Sequence, residues 1–301
     1  MEKIQFATTD KKKVALYVWD KAVSPKLIVQ LVHGMCEHSS RYAEFAEFLN
    51  ENGIIAAMND QRGHGESAAD AASYGYDDGN MWDNNISDQL GISRFLQTKY
   101  DLPLVLFGHS YGSFLVQRLM QIDPIPVAFV LSGSCYMNTP TVKLGAALSA
   151  QKARKSPGAP GALMAKMSFK QYEKRFPGLN NWLSSDPETV KKYNDDPACG
   201  YVASNSFYAS FMNGLKTVYK RANRNSININ RPVYIMSGSD DPVSNYGKGV
   251  QKLHDYFVDY GVRDVTLKIY QGGRHEMLNE TNKAEVYGDV LGFLKRFKKL
   301  D

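Results

Sequence analysis

Apolar residues along the chain follow two rhythms. Short runs rich in aliphatic and β-branched residues at 14–19, 27–31, 54–58, 104–107, 128–131, 233–236 and 265–270 read as strands. Between most of them lie longer stretches of helical period, at 41–51, 81–98, 113–122, 248–260 and 282–298. Such alternation predicts βα units on a largely parallel sheet flanked by helices. The first two strands follow each other closely, which predicts that the sheet begins as an antiparallel hairpin.

The alternation stops after Ser132 and resumes only at Val233, about a hundred residues later and far beyond an ordinary connection. This stretch reads as an insertion. Residues 151–176 begin loop-like, with Pro157, Gly158, Pro160 and Gly161. They then turn amphipathic through Leu163, Met164, Met167, Phe169, Tyr172 and Phe176, and residues 187–222 are aromatic and mostly helical in pattern. The expected organisation is a first core part at 1–134, a helical insertion at 135–228 and a second core part at 229–301.

With 301 residues and 43% hydrophobic content, the chain can fill a sizeable core, which argues against disorder. Its net charge of +5, from 36 basic and 31 acidic residues, is too mild to imply nucleic acid as a partner and leaves only transient attraction to a lipid surface. The N-terminal stretch has no apolar run of signal-peptide length, and no segment approaches the roughly 20 apolar residues of a membrane span. Cys36, Cys135 and Cys199 are too few and too scattered for a disulfide framework. A cytoplasmic, reducing location is expected.

The chemistry begins at Gly108-His109-Ser110-Tyr111-Gly112, a G-x-S-x-G directly after the strand at 104–107 and directly before a helix. A serine on so sharp a turn is strained, and side chains two positions to either side would collide, so Gly108 and Gly112 shape the turn. Serine needs a base that is itself oriented by a third group, and on this strand-to-helix turn the partners follow in the order serine, acid, histidine. Of six histidines, His275 alone lies in a turn late enough. His254 sits inside a helical run, His109 is next to the serine, and His33, His38 and His64 come too early. The acid is expected after the strand at 233–236, where spacing leaves Asp240 and Asp241 open. Either could instead be a turn residue bonded to its own backbone.

These residues resemble the serine hydrolases that include monoacylglycerol lipases and lysophospholipases, a family grouped with the serine aminopeptidases. The resemblance rests on HGMCEHSSRY at 33–42, DQRGHGES at 60–67, GHSYG at 108–112, GSDDPV at 238–243 and GGRHEML at 272–278. It implies the α/β-hydrolase fold, with a mostly parallel, eight-stranded type of sheet and the insertion as a helical lid. It implies Asp241 as the acid, through the family's G-x-x-D-x-V. It also implies hydrolysis of a single-chain acyl ester such as a monoacylglycerol or lysophospholipid, a small-molecule substrate with no cofactor.

On that reading His275 takes the proton of Ser110 as it attacks the ester carbonyl, and Asp241 holds the imidazole. The Tyr111 N–H is one donor to the oxyanion, and the resemblance makes the Met35 N–H the other, in a loop that turns at Gly34. Arg62 and His64 read as bracing for that region. The rivals are an aminopeptidase, a short-chain carboxylesterase, acyl transfer to an alcohol, and a noncatalytic receptor on the same fold. An aminopeptidase needs an acid for the free amine, from among Glu173, Asp186, Glu188, Asp195 and Asp196.

His33, Cys36, Glu37 and His38 crowd into six residues, an arrangement that suggests a metal. A structural zinc, however, wants four ligands with paired spacing, and no second cluster accompanies this one. No metal is expected, and Glu37 and His38 are read as braces of the loop.

Overall fold

The computed structural model describes residues 1–298, so the last three residues of the second core part lie outside the described residues. One sheet contains β1 (Glu2–Ala7), β2 (Lys13–Trp19), β3 (Leu27–Val32), β4 (Ile54–Asn59), β5 (Leu104–His109), β6 (Ala128–Ser132), β7 (Val233–Gly238) and β8 (Val265–Tyr270). Their spatial order is β1-β2-β4-β3-β5-β6-β7-β8. All pairs from β4 to β8 are parallel, whereas β1–β2 and β2–β4 are antiparallel. The expected mostly parallel sheet is therefore present.

The expected hairpin is not. The two runs at 14–19 and 27–31 do not pair, since β4 lies between them. The hairpin joins β2 to β1, a strand that the apolar pattern missed. β1 is an edge strand in which Ile4 and Phe6 face the protein among exposed residues, so it has too little apolar content to stand out. The central strands β3 to β7 are buried along their whole length, which is why they read as continuous apolar runs.

Helices cover both faces. α1 (Ala43–Glu51) and α10 (Lys283–Leu294) pack with Leu27, Val29, Leu31, Val105 and Phe107 on one face. On the other, α2 (Met81–Tyr100), α3 (Tyr111–Ile122) and α9 (Lys248–Tyr260) pack with Ile28, Val32, Leu104 and Leu106. Alternate residues of β3 and β5 thus feed opposite cores, as the period of a strand requires.

Between β6 and β7 lie α4 (Pro140–Lys155), α5 (Ala162–Arg175), α6 (Pro187–Asp195), α7 (Asn205–Val218) and the short α8 (Arg221–Arg224). α4 had no counterpart in the pattern of the sequence, where the stretch beginning at 151 starts loop-like before turning amphipathic; Thr139 caps it and Pro140 occupies its first turn. α7 anchors the segment to the sheet layer. Phe211 stacks on Trp82 of α2 at 6.1 Å between ring centroids, and Phe207 meets Tyr111 of α3 at 5.0 Å. Among the described residues no helix is long and apolar enough to cross a membrane.

Candidate active site

Ser110 occupies the single position between β5 and α3, with φ 49° and ψ −119°, a conformation disfavoured for a side-chain-bearing residue. The turn is held from both sides. The Ser110 N–H donates to the Ser132 carbonyl at 2.9 Å, and the Ser110 carbonyl accepts from the Ser113 N–H at 2.9 Å and hydroxyl at 2.6 Å. A β-carbon on Gly108 would lie 2.5 Å from the Gly112 carbonyl oxygen, and one on Gly112 would overlap the Val32 carbonyl. Both glycines are required so that β3, β5 and α3 can meet this closely.

His275 follows β8 and is 2% exposed. Its Nδ1 lies 3.0 Å from Asp241 Oδ1, and the rings of His109 and Trp182 flank it at 4.8 and 5.1 Å. Gly133, at φ 56°, leaves the ring its room, since a β-carbon there would come within 2.8 Å of Cε1. Asp241 is fully buried just past β7, where it accepts the Val243 N–H at 2.8 Å and the Ser237 hydroxyl at 2.8 Å. Asp240, the other candidate, faces outward and pairs with Arg175 at 2.7 Å.

Burial opposes charge on both partners, yet each outweighs that cost for the other. The Asp241 carboxyl is held below its ordinary range by His275 and by its two donors. The His275 imidazole is raised above its ordinary value, chiefly by Asp241. With its Nδ1–H directed at Asp241, the ring keeps Nε2 as an acceptor. His109, buried and beside His275, falls to about 4, so it stays neutral at physiological pH.

Ser110 and His275 line one cavity of about 530 Å³ together with Gly34, Met35 and Tyr111. Its remaining wall is mostly apolar and aromatic, drawn largely from the segment between β6 and β7, and includes Met137, Phe169, Tyr208, Phe211 and Met212. Among the described residues, neither the Met35 nor the Tyr111 N–H has a hydrogen-bond partner. The Gly34 N–H, by contrast, is taken by Glu37 Oε1 at 2.6 Å.

Glu37 belongs to a buried ionic cluster that the sequence reading missed except for Glu37 itself. Arg41 reaches Glu37 at 2.6 Å and grips Glu276 with both amino groups at 2.8 and 2.6 Å, while the Tyr42 hydroxyl donates to Glu37 at 2.8 Å. Burial would raise the Glu37 carboxyl, but Arg41 and the neighbouring histidines bring it down to about 2. Because Glu276 follows His275, this one guanidinium joins the Gly34 loop to the histidine loop. The positions Arg41 and Glu276 lie inside the motifs at 33–42 and 272–278; nothing local indicated that they meet.

The histidine loop is fastened from a third side. The Glu276 N–H donates to the Leu183 carbonyl at 2.8 Å, and Arg274 donates to the Ser184 carbonyl at 2.8 Å. Trp182 and its neighbours therefore support His275 although they lie some ninety residues earlier, a link that periodicity cannot reveal.

His33 and His64 are structural. His33 accepts the Gln61 N–H at Nε2, 2.9 Å, and donates from Nδ1 to the Gly34 carbonyl, 2.8 Å. Arg62 binds Asp88 at 2.7 Å and Asp10 at 2.6 Å, and His64 donates to the Arg62 carbonyl at 2.9 Å. Neither Arg62 nor His64 lines the cavity. His254 contacts Asp255 on the surface of α9. All three cysteines are buried and free, with burial raising Cys36 and Cys135 to about 12 and Cys199 further, so none is a ready thiolate.

Of the five acids considered for an aminopeptidase, Glu173 lines the cavity, and Lys166 and Lys170 of the same helix line it too. Asp186 caps α6, Asp195 pairs with Lys191 and Asp196 pairs with His38. Glu188, in the first turn of α6, is absent from the lining.

The sequence profile of the family described as "Serine aminopeptidase, S33" matches residues 23–282. The chain is 25% identical over 267 residues to the monoglyceride lipase homolog of Monkeypox virus, covering 89% of this chain and 88% of that one. It is 26% identical over 295 residues to the monoacylglycerol lipase of Mycolicibacterium smegmatis, covering 96% and 95%. A thermostable carboxyl esterase from Bacillus coagulans, solved in complex with glycerol, superimposes with a TM-score of 0.89 at 25% identity over 98% of each chain.

Proposed function

The chain belongs to the serine aminopeptidase S33 family, has the α/β-hydrolase fold and is a hydrolase of carboxylesterase type; on that premise we propose that it cleaves single-chain acyl esters, of monoacylglycerol or lysophospholipid type, through an acyl-serine on Ser110. The observation that carries the reading is the 3.0 Å Asp241–His275 contact in the wall of the apolar cavity that Ser110 also lines.

In the first step Ser110 Oγ bonds to the ester carbonyl carbon as its proton passes to His275 Nε2. Asp241 keeps the proton on Nδ1 and stabilises the imidazolium that forms. The negative charge that develops on the carbonyl oxygen is met by the Met35 and Tyr111 N–H groups, which are free to turn to it. The tetrahedral intermediate collapses by breaking the ester C–O bond, and His275 returns its proton to the departing alcohol. Water, deprotonated by the same nitrogen, then attacks the acyl-serine, releasing the acid and restoring Ser110.

The segment between β6 and β7, residues 135–228, acts on this reading as a cap whose inner face holds the acyl chain. The aromatic and methionine lining favours an acyl chain over a charged peptide terminus. An amine site would rest on Glu173 alone, beside two lysines, and this disfavours the aminopeptidase alternative. A fluorophosphonate probe should label the native enzyme and fail to label Ser110→Ala. Equal labelling of the two, or none of the native chain, would remove Ser110 from the mechanism.

A further inference from the structure

Three side chains from distant parts of the sequence converge beside the loop that carries Met35. His38 ends that loop, while Asp196 and Cys199 lie in the connection after α6; one ligand atom from each falls within 4.8 Å of the others. His38 Nε2 stands 2.8 Å from Asp196 Oδ2, and Ser40 Oγ stands 3.0 Å from His38 Nδ1 on the other side of the ring. Asp196 Oδ1 accepts the Ala198 N–H at 2.8 Å, so the second oxygen is the one presented inward. Cys199 is buried, at 8% exposure, and its thiol is not in a disulfide and has no hydrogen-bond partner among the described residues. It plays no part in the chemistry proposed for Ser110. The side chains of His38 and Asp196 are 15% and 31% exposed, so the cluster opens to solvent above a buried thiol.

We propose that His38 Nε2, an Asp196 carboxylate oxygen and Cys199 Sγ form a site for one divalent ion of the zinc type, with water as the fourth ligand. Mixed nitrogen, oxygen and sulfur donors suit Zn²⁺ in a tetrahedral shell, whereas Mg²⁺ and Ca²⁺ seek oxygen alone. Ser40 supplies the outer contact that orients a ligating imidazole. On binding, the His38 ring proton sits on Nδ1 and donates to Ser40 Oγ, and the Nε2 lone pair goes to the metal. The thiol S–H bond breaks, its proton leaves to solvent and its electron pair goes to the metal, so one proton is released per ion. The nearby Arg41 does not repel the ion strongly, because Glu37 and Glu276 neutralise its charge.

The position gives the site a consequence. The Cys36 carbonyl already accepts the Gly200 N–H at 3.0 Å and the Tyr193 hydroxyl at 3.1 Å. An ion on His38, Asp196 and Cys199 would add a second tie across the same seam, between residues 196–200 and the Met35 loop. Residues 33–38 alone could not reveal it, since two of the three ligands lie about 160 positions away in the sequence, much farther than any local metal motif spans.

Titration of the full chain with Co²⁺ tests the proposal independently of ester hydrolysis. The expected result is one ion per chain, visible absorption of tetrahedral cobalt and a near-ultraviolet thiolate-to-metal band. Cys199→Ser should lose that band, and His38→Ala and Asp196→Ala should weaken binding about tenfold or more, at least what loss of an outer-shell partner costs. Cys36→Ser and Cys135→Ser should keep the native spectrum, and Zn²⁺ should raise the melting temperature of the native chain but not of Cys199→Ser. A cobalt spectrum unchanged by Cys199→Ser, binding without a thiolate band, or no Zn²⁺ retained on equilibrium dialysis would overturn it. A chain that reacts normally with fluorophosphonate yet gives any of these results would lose the metal site and keep the hydrolase mechanism.

Discussion

At Gly34 a β-carbon would lie 2.5 Å from Glu37 Oε1 and 3.2 Å from the β-carbon of Ser110. The glycine is thus needed for space, whereas the left-handed turn in this loop falls at Cys36, with φ 56°. Gly34→Val should push the Glu37 carboxylate off the Gly34 N–H and shift the neighbouring Met35 N–H. Steady-state kinetics should then show kcat lower by about 100- to 1000-fold, the cost of one oxyanion donor, in protein that still folds. A kcat within a few-fold of native would mean that the Met35 amide is not a donor. His275 makes a second prediction at this scale. It must be neutral to accept the serine proton, and its raised pKa keeps the imidazolium to higher pH, so kcat/KM should fall on the acid side with a midpoint above the free histidine value of about 6.5. A midpoint below that value in a pH–rate profile would contradict the assignment. Ser110 and His275 were legible because the turn and the chain order restrict them; Asp240 and Asp241 were not separable by spacing, since adjacent residues differ only in which one the fold buries.

Arg41 ties together three elements: the Glu37 loop, the loop after β8 and, through a ring contact of 4.7 Å to Tyr193, helix α6. Arg41→Met would leave two buried carboxylates without their cation, at a cost of about 3–5 kcal/mol, measurable by denaturant unfolding. Lys191→Met, which breaks the exposed pair with Asp195, should leave the midpoint unchanged. Equal effects of the two would show that the cluster braces nothing. Element by element, the buried parallel strands and α9 were plain from apolar rhythm. β1 was hidden by its edge position and α4 by a sequence in which Val142 and Ala146 are the only buried large or small apolar residues apart from Gly145. The Arg41 contacts were invisible for a different reason: Arg41 and Glu276 meet only after the parallel strands have brought the C-terminal ends of β3 and β8 to the same end of the sheet.

Across the whole molecule, the core strands present Ser110, Asp241 and His275 at one end of the sheet, and the segment between β6 and β7 supplies most of the apolar wall around Ser110. The sequence indicated an insertion of this length and its aromatic content, but not which of its side chains face inward. That depends on how α4 and α7 pack together and how α7 rests on Trp82 and Tyr111. Each acyl methylene seated in such a wall contributes about 0.8 kcal/mol, or roughly fourfold in kcat/KM. The most direct test is therefore kcat/KM for glycerol monoesters of increasing acyl length, with aminoacyl arylamides in parallel and Ser110→Ala as the blank. The predicted result is a rise with each added methylene until the cavity is full, slower arylamide cleavage, and no turnover by Ser110→Ala. Fastest turnover of the shortest esters, or arylamides cleaved faster than any ester, would contradict it.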